Sequence, residues 1–293
     1  MAYRWARSDS QRRTYRECPH KWYLRYALGW KQKTAKAQWS FGSVMERVAV
    51  AIIQQAIRPG EAVELFDWLW GAYEAGKNEY GEPLTYRQHL THKVLYDRGR
   101  ILAMLAARQL PSMFVGPQDS VFQLELRYEI APGHLELGYP DFYGPVKPSP
   151  HQAPVLAVVD FKTNDREEKP TLVERNEQLM GYQYGLQARG CQVDAVALCR
   201  LVWGAKPSIQ WLWHPAFSAD VLAEWVHNAQ RDDIAIQSEE FPRRYQACHA
   251  WGGCWGQPLC FPSKAEEVPL FLVRDEARKG ELLVFEESAG IEL

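Results

Sequence analysis

The sequence predicts an α/β fold in which one mixed β-sheet is flanked by helices. Three observations indicate this class. Apolar residues recur at helical spacing in the first third of the chain, strand-like segments then follow one another, and helical and strand-like segments alternate after that. The chain has 293 residues, 46% of them hydrophobic and 13% aromatic, which suffices for a sizeable core. We expect a single domain over residues 1–293.

The N-terminal part is predicted to be helical. Residues 8–28 begin as a helix, break at Pro19 and continue as an aromatic helical turn. A helical pattern covers residues 40–57, and residues 61–111 are mostly helical by composition. We therefore interpret residues 47–117 as a helical insertion that precedes the strands.

The middle of the chain is predicted to form a meander of three strands. The alternating segment FQLELRYEI at 122–130 is typical of a half-buried strand, and Pro132-Gly133 indicates a turn. Residues 134–144 would be the hairpin partner. The continuous apolar run VLAVVDFKT at 155–163 is typical of a buried strand.

The last predicted elements alternate between helix and strand. A helix fits residues 171–189, strands fit 191–204 and 209–214, and a helix fits 218–238. Together with the meander, this order favours one mixed sheet with helices around it.

Charge is distributed unevenly along the chain. The net charge is only −2, which gives no support for a nucleic-acid partner by itself. Residues 1–36, however, hold ten basic and two acidic residues, whereas the tail 265–293 holds eight acidic and three basic ones. Such a basic segment either faces phosphates or is a solvated helix face. We take Arg12, Arg13 and Arg16 as candidate contacts to DNA.

Nothing in the sequence predicts a membrane or secreted protein. No apolar stretch follows the basic N-terminus, and the aliphatic run at 48–53 is too short to span a bilayer. We expect a cytoplasmic protein, so its six cysteines need another explanation than a secreted disulfide framework.

Charged side chains lie at the ends of two predicted core strands. Asp141 lies in GYPDFYG, and Asp160 and Lys162 follow VLAVV, where a spacing of two places both side chains on one side of a strand. Carboxylates suit a divalent cation such as Mg²⁺, and a lysine can orient or deprotonate water or balance a phosphate. This combination predicts a site that hydrolyses phosphodiesters.

Gly138-x-x-Asp141 followed by Asp160-x-Lys162 resembles the PD-(D/E)XK nuclease superfamily, which has a restriction-endonuclease-like fold. Gln178 and Tyr182 resemble the Q-x-x-x-Y motif of its RecB-type branch and share one helix face.

The resemblance implies a site for Mg²⁺ or Mn²⁺. Asp141 and Asp160 would be ligands, completed by Glu46 and the backbone carbonyl of Phe161. Glu46 stands where many members of that branch have histidine. Lys162 would position the water, and Gln178 and Tyr182 would orient the DNA strand or Lys162.

Four cysteines resemble those of the iron–sulfur nucleases, which include AddB-type helicase-nucleases, CRISPR-associated exonucleases and phage exonucleases. Cys18 lies near the N-terminus, and Cys248, Cys254 and Cys260 form a C-x5-C-x5-C pattern within 248–260. In such proteins four thiolates hold a 4Fe–4S cluster that staples the chain ends together. Zinc, which usually has tighter ligand spacing, and four unrelated thiols are the alternatives. Cys191 and Cys199 fit a strand core.

The resemblance as a whole implies a DNA exonuclease acting on single-stranded ends. Its setting would be recombination, repair, or CRISPR or phage DNA processing, with a recombination, helicase or CRISPR protein as partner, in a bacterium, archaeon or phage. The alternatives are a catalytically idle DNA-binding subunit and an RNA-processing nuclease. The presence of Asp141, Asp160 and Lys162 argues against an idle subunit.

Overall fold

The structure, a computed structural model, describes residues 6–116, 120–249 and 253–275. The predicted acidic tail therefore lies outside the described residues from residue 276 onward. The helices are α1 (Asp9–Glu17), α2 (Pro19–Trp22), α3 (Ala37–Ile53), α4 (Ala62–Gly71), α5 (His92–Met113), α6 (Thr171–Glu174), α7 (Glu177–Ala188), α8 (Ala219–Gln237), α9 (Gln257–Cys260) and α10 (Val268–Phe271). A π-helical turn, Tyr23–Ala27, follows α2, and short 3-10 turns cover Pro59–Glu61, Tyr245–Cys248 and Pro262–Glu267.

The strands are mostly short. They are β1 (Ala6–Arg7), β2 (Trp30–Gln32), β3 (Ala35–Lys36), β4 (Leu84–Thr85), β5 (Val121–Phe122), β6 (Leu126–Ala131), β7 (His134–Gly138), β8 (Phe142–Val146), β9 (Val155–Asn164), β10 (Ala195–Val202), β11 (Ser208–Pro215) and β12 (Leu272–Arg274).

The chain divides into two compact units. The first contains Met1–Lys33, Arg127–Gly138 and Asp220–Leu293, and the second contains Thr34–Leu126 and Tyr139–Ala219. The assignment of residues 1–293 to one domain stays a prediction.

The second unit is built on a five-stranded sheet with the order β11-β10-β9-β8-β5. Strands β9 and β10 run parallel, while β8 and β11 are antiparallel to their neighbours, so the sheet is mixed as predicted. One face packs on α3, α4 and α5 through a fully buried cluster that includes Phe41, Phe66 and Trp70. Helix α7 packs against β9 and β10. The predicted mixed sheet flanked by helices is confirmed.

The predicted three-strand meander is wrong. Segment 122–130 is broken at Gln123, whose φ of 47° is incompatible with a continuous strand, and 134–144 is broken after Gly138. Strands β6 and β7 consequently join β1 in a separate three-stranded sheet, whereas β5 and β8 join the five-stranded one. Alternation of apolar residues runs unbroken across the break at Gln123, so there it gives no sign that the strands change sheets, whereas the alternation stops at Pro140-Asp141 in the second segment.

Other boundaries shift by a few residues. Helix α3 begins at Ala37 rather than residue 40. The predicted helix 171–189 is two helices, because the Asn176 side chain accepts a hydrogen bond from the Leu179 N–H and starts α7 anew. Cys199 is buried within β10 as expected, but Cys191 precedes that strand and is half-buried. In the part of the chain that the structure describes, no helix is long and apolar enough to cross a membrane.

Candidate active site

Asp141 and Asp160 are brought together by the pairing of β8 with β9. Phe142 pairs with Val159 in this antiparallel ladder, so Asp141, one residue earlier, lies across from Asp160. The Phe161 backbone N–H donates a hydrogen bond to Asp141 Oδ2 at 2.6 Å, and Asp160 is 2% exposed. The two carboxylates that the sequence singled out therefore share one end of the strand pair.

Lys162 lies beside these carboxylates. Its Nζ is 2.5 Å from Asp160 Oδ2, a proximity that a two-residue spacing on one strand permits. Partial burial by itself would lower the pKa of Lys162, but the charge of Asp160, together with Asp141 and Glu46, raises it above its usual value. Lys162 is thus a protonated ammonium at neutral pH in the metal-free protein.

Glu46 reaches the same place from α3. The preceding turn of that helix holds Gly42, where an added Cβ would be 2.7 Å from Thr163 Oγ1, so glycine allows α3 to approach the end of β9 closely. The Gln123 side-chain amide donates to Glu46 Oε1 at 3.1 Å. The three predicted carboxylates therefore come from α3, from the residue before β8 and from the interior of β9, so Asp160 is not at a strand end as expected.

The charges of these carboxylates act on one another. Burial, followed by the charges of Asp160 and Glu46, raises the pKa of Asp141 to about 8. A cation between the carboxylates would relieve this repulsion, and carboxylate and carbonyl oxygens are ligands that Mg²⁺ and Mn²⁺ accept. The chemistry of the donor set therefore fits a hard divalent cation. The described residues nevertheless include no group of three or more His, Cys, Asp or Glu side chains already arranged to hold a metal ion.

Gln178 and Tyr182 lie one turn apart on α7 and bond to each other. Gln178 Nε2 donates to the Tyr182 hydroxyl at 2.6 Å, and that hydroxyl donates to the Tyr139 carbonyl at 3.0 Å. Burial and the nearby Asp160 raise the pKa of Tyr182, so the phenol keeps its proton. Their hydrogen bonds thus hold the backbone two residues before Asp141, rather than the ammonium of Lys162.

A sequence model of the PD-(D/E)XK nuclease superfamily matches residues 7–260, most of the chain. The chain belongs to the PD-(D/E)XK nuclease superfamily. Membership makes it a nuclease, a hydrolase of phosphodiester bonds whose family generally depends on divalent metal ions.

One solved structure resembles the fold of this chain. The protein named "putative exonuclease" from Eubacterium rectale is 12% identical, with a TM-score of 0.51 over 84% of this chain and 86% of that one. The protein SSO0001 is 17% identical, with a TM-score of 0.33 over 76% of this chain and 98% of that one. No curated protein matches the sequence significantly.

Gln123 contacts this candidate site, although the sequence did not reveal it. Its backbone N–H donates to the Asp141 carbonyl at 3.1 Å while its side chain bonds Glu46. A non-glycine residue with a φ of 47° is uncommon, and strained backbone tends to lie at functional sites. Gln123 thus links the segment of Asp141 to the carboxylate on α3. No sequence signal identifies it, because it lies inside an alternating strand pattern.

The basic residues of the N-terminal segment differ in their surroundings. Arg13 is 72% exposed beside Asp9, and Arg16 is one-third exposed beside Asp232. Arg12 is 1% exposed, forms a salt bridge with Glu136, and lies over the Trp225 ring. The expectation that Arg12 contacts DNA is corrected on this ground, because its guanidinium is enclosed within the first unit.

The four cysteines of the predicted iron–sulfur module line a single cavity in the first unit. Cys18 joins α1 to α2, Cys248 ends a 3-10 turn, and Cys260 ends α9. The Cys254 N–H donates to the Cys248 carbonyl at 3.1 Å, which brings these two cysteines together. Three basic residues share the lining: Lys21, Arg243 and Arg244.

These thiols influence one another electrostatically. Burial, with a contribution from Cys254, Cys248 and Cys18, raises the pKa of Cys260 to about 11. Burial also raises the pKa of Cys254, so the Cys254 and Cys260 thiols stay protonated without a metal, and ligation would release their protons. Four thiols and three basic residues thus share one cavity, and among the described residues these thiols are not already arranged around a metal ion.

Proposed function

We propose that this nuclease is a DNA exonuclease of the RecB-type iron–sulfur branch that requires Mg²⁺ or Mn²⁺ and acts on single-stranded ends. The observation that carries the proposal is the convergence of Asp141, Asp160 and Glu46 with Lys162 at one end of the β8–β9 pair. The hydrogen bonds of the Q-x-x-x-Y motif and the cavity of the four cysteines support the finer assignment.

Each residue has a role in the proposed chemistry. Asp141, Asp160, Glu46 and the Phe161 carbonyl would hold the cation, which would supply a water of lowered pKa and stabilise the leaving oxygen. Lys162, as an ammonium, would orient the water and balance charge on the phosphate. Gln178 and Tyr182 keep the Asp141 segment in place through the Tyr139 carbonyl.

The Lys162→Met variant tests the role of the ammonium. We expect the single-turnover cleavage rate to fall by about 10²–10³-fold, as when one preorganised donor to a developing charge is removed. Affinity for Mn²⁺, measured by calorimetry, should be retained, because lysine is not a ligand. Lys93→Met, on the exposed face of α5, is the matched control and should cleave normally. Loss of Mn²⁺ binding in Lys162→Met would show that its assigned role is wrong.

Assays on three labelled substrates test the proposed substrate. The purified protein, supplied with Mn²⁺ or Mg²⁺, should shorten single-stranded DNA from an end and act more slowly on duplex DNA and on RNA. Preference for RNA would favour an RNA-processing nuclease. Binding of DNA without cleavage in either metal would favour a catalytically idle subunit. A role in recombination, repair, or CRISPR or phage DNA processing, together with the corresponding protein partners, stays a prediction.

The basic N-terminal segment gives a prediction that separates binding from stability. The double variant Arg13→Gln with Arg16→Gln should lower the log–log salt slope of single-stranded DNA binding by about 0.7 for each phosphate that is no longer neutralised. Arg12→Gln should instead destabilise the protein by about 3–5 kcal/mol, because it leaves Glu136 buried without its partner. Fluorescence polarisation against salt and urea unfolding measure the two effects. An unchanged slope in the double variant would mean that Arg13 and Arg16 do not contact phosphates.

A further inference from the structure

A cavity of about 400 Å³ lies beside the catalytic carboxylates in the second unit. Glu46 and Lys162 form part of its wall, and Gln38, Trp39 and Arg87 contribute to the rest. The cavity is therefore shared between the catalytic residues and a set of side chains to which the proposed chemistry gives no role. Its lining is mostly polar, which suits a hydrophilic ligand.

Trp39 is unusual among the aromatic residues of this cavity. Its side chain is 61% exposed, whereas Phe161 and Trp203 are buried. Lys36 Nζ lies 4.9 Å from the Trp39 ring centroid and makes a cation–π contact with the indole. An exposed indole beside a lysine offers a flat apolar surface together with a counter-charge for a phosphate.

The spacing along α3 connects Trp39 to the catalytic cluster. Trp39, Ser43 and Glu46 recur at helical spacing and all line the cavity. Seven residues of helix span about 10 Å, which corresponds to about three nucleotides of a stacked strand. A strand whose phosphate lies at Glu46 can thus place a base about three nucleotides away at Trp39.

Gln38 supplies an independent observation. Its side-chain nitrogen and oxygen are both buried, and neither has a hydrogen-bond partner among the described residues. Buried polar groups nearly always have partners, so a rotation that turns this amide into the cavity would let a ligand with a donor and an acceptor satisfy it. The edges of nucleobases present both.

We propose that this cavity binds the nucleotides next to the scissile phosphate of a single strand, with a base stacked on Trp39. Gln38 bonds a base edge, and Lys36 and Arg87 offset phosphate charge. The inference rests on the proposed nuclease function and deepens it. Stacking on an indole requires an unpaired base with a free face, so this subsite gives a physical reason for a preference for single strands.

Polarisation of a fluorescent oligothymidylate, measured on the full chain without added Mg²⁺ or Mn²⁺, tests the subsite. Trp39→Ala should weaken binding at least about fivefold, the loss of one base–aromatic stack, while Trp39→Phe should retain most of the affinity. Trp68→Ala is the matched control, because Trp68 is 71% exposed on α4 in the same unit and outside this lining. An oligonucleotide with abasic positions should bind wild type and Trp39→Ala equally.

The outcomes separate the subsite from the nuclease function. Equal affinities for Trp39→Ala and Trp68→Ala would overturn the subsite even if the wild type cleaves DNA. If the wild type cleaves none of the substrates, the proposed function is overturned. If the Trp39→Ala variant, but not Trp68→Ala, nevertheless binds the oligonucleotide more weakly than wild type does, the subsite is still supported. An equal loss of affinity for duplex and single strands would overturn the stacking of an unpaired base.

Discussion

The Asp160→Asn variant is expected to lose cleavage by about 10³-fold or more. Asp160 is 2% exposed and lies between Asp141 across the strand pair and Lys162 on its own strand. Asparagine keeps the size of the side chain but removes the negative charge that would hold the cation. A contribution of several kcal/mol from metal catalysis corresponds to this loss of rate.

The fold should survive this change. An amide relieves the repulsion that contributes to the raised pKa of Asp141, and Lys162, being 41% exposed, can be solvated when it loses Asp160. We therefore expect single-stranded DNA binding close to wild type and a melting temperature within a few degrees. Asp97→Asn, an exposed position on α5, is the control and should cleave normally. Cleavage by Asp160→Asn at more than a tenth of the wild-type rate would refute the assigned site.

The second large effect is expected from the cysteine cavity. If a 4Fe–4S cluster is bound, wild-type protein purified without oxygen should be brown and absorb at about 400 nm. It should also contain roughly four irons per chain. Cys18→Ser and Cys254→Ser should both lose the colour and the iron. Cys18 and the C-terminal triplet lie in distant segments of the first unit, so a cluster between them closes a long loop in the unfolded chain.

Loss of the cluster should also destabilise the protein, because ligand binding adds to the free energy of folding. We expect the melting temperature to fall by at least about 5 °C, since each kcal/mol shifts it by about 2–4 °C in proteins approaching this size. Cys191→Ser, half-buried and outside the cavity, is the control and should keep both colour and stability. A colourless wild type with one zinc per chain would show that the four cysteines bind zinc and not an iron–sulfur cluster. Iron-free variants that melt like wild type would reject the stabilising role.

The local parts of the site were predictable from the sequence, and the long-range parts were not. Asp160 and Lys162 are two residues apart on one strand, so their proximity follows from strand geometry alone. The hydrogen bond between Gln178 and Tyr182 likewise follows from their spacing on a helix. Both relations depend on a regular element that the sequence pattern indicates directly.

Other features depend on partners that no local pattern reveals. Arg12 lies in a basic segment that predicts exposure. Its salt-bridge partner Glu136 is 124 residues away along the sequence, and Arg12 is buried in the folded protein. The position of Gln123 depends on a backbone turn that interrupts an apparently regular strand. A charge count over a segment does not distinguish a buried arginine from an exposed one, so Arg12 was wrongly predicted to be exposed. An alternating pattern likewise does not show a single residue that leaves the strand, so Gln123 was not identified.

The division of the chain into segments has a consequence for how the protein is made. The second unit is complete once residue 219 has been synthesised, whereas the first still lacks its third segment. Cys248 follows Cys18 by 230 residues, a delay of roughly 10–50 s at synthesis rates of about 5–20 residues per second. During translation Cys18 is therefore present before Cys248, Cys254 and Cys260 have been synthesised. If the proposed cluster is bound, iron can be inserted only after Cys260 has emerged from the ribosome, so the second unit would have time to fold before the cluster is assembled.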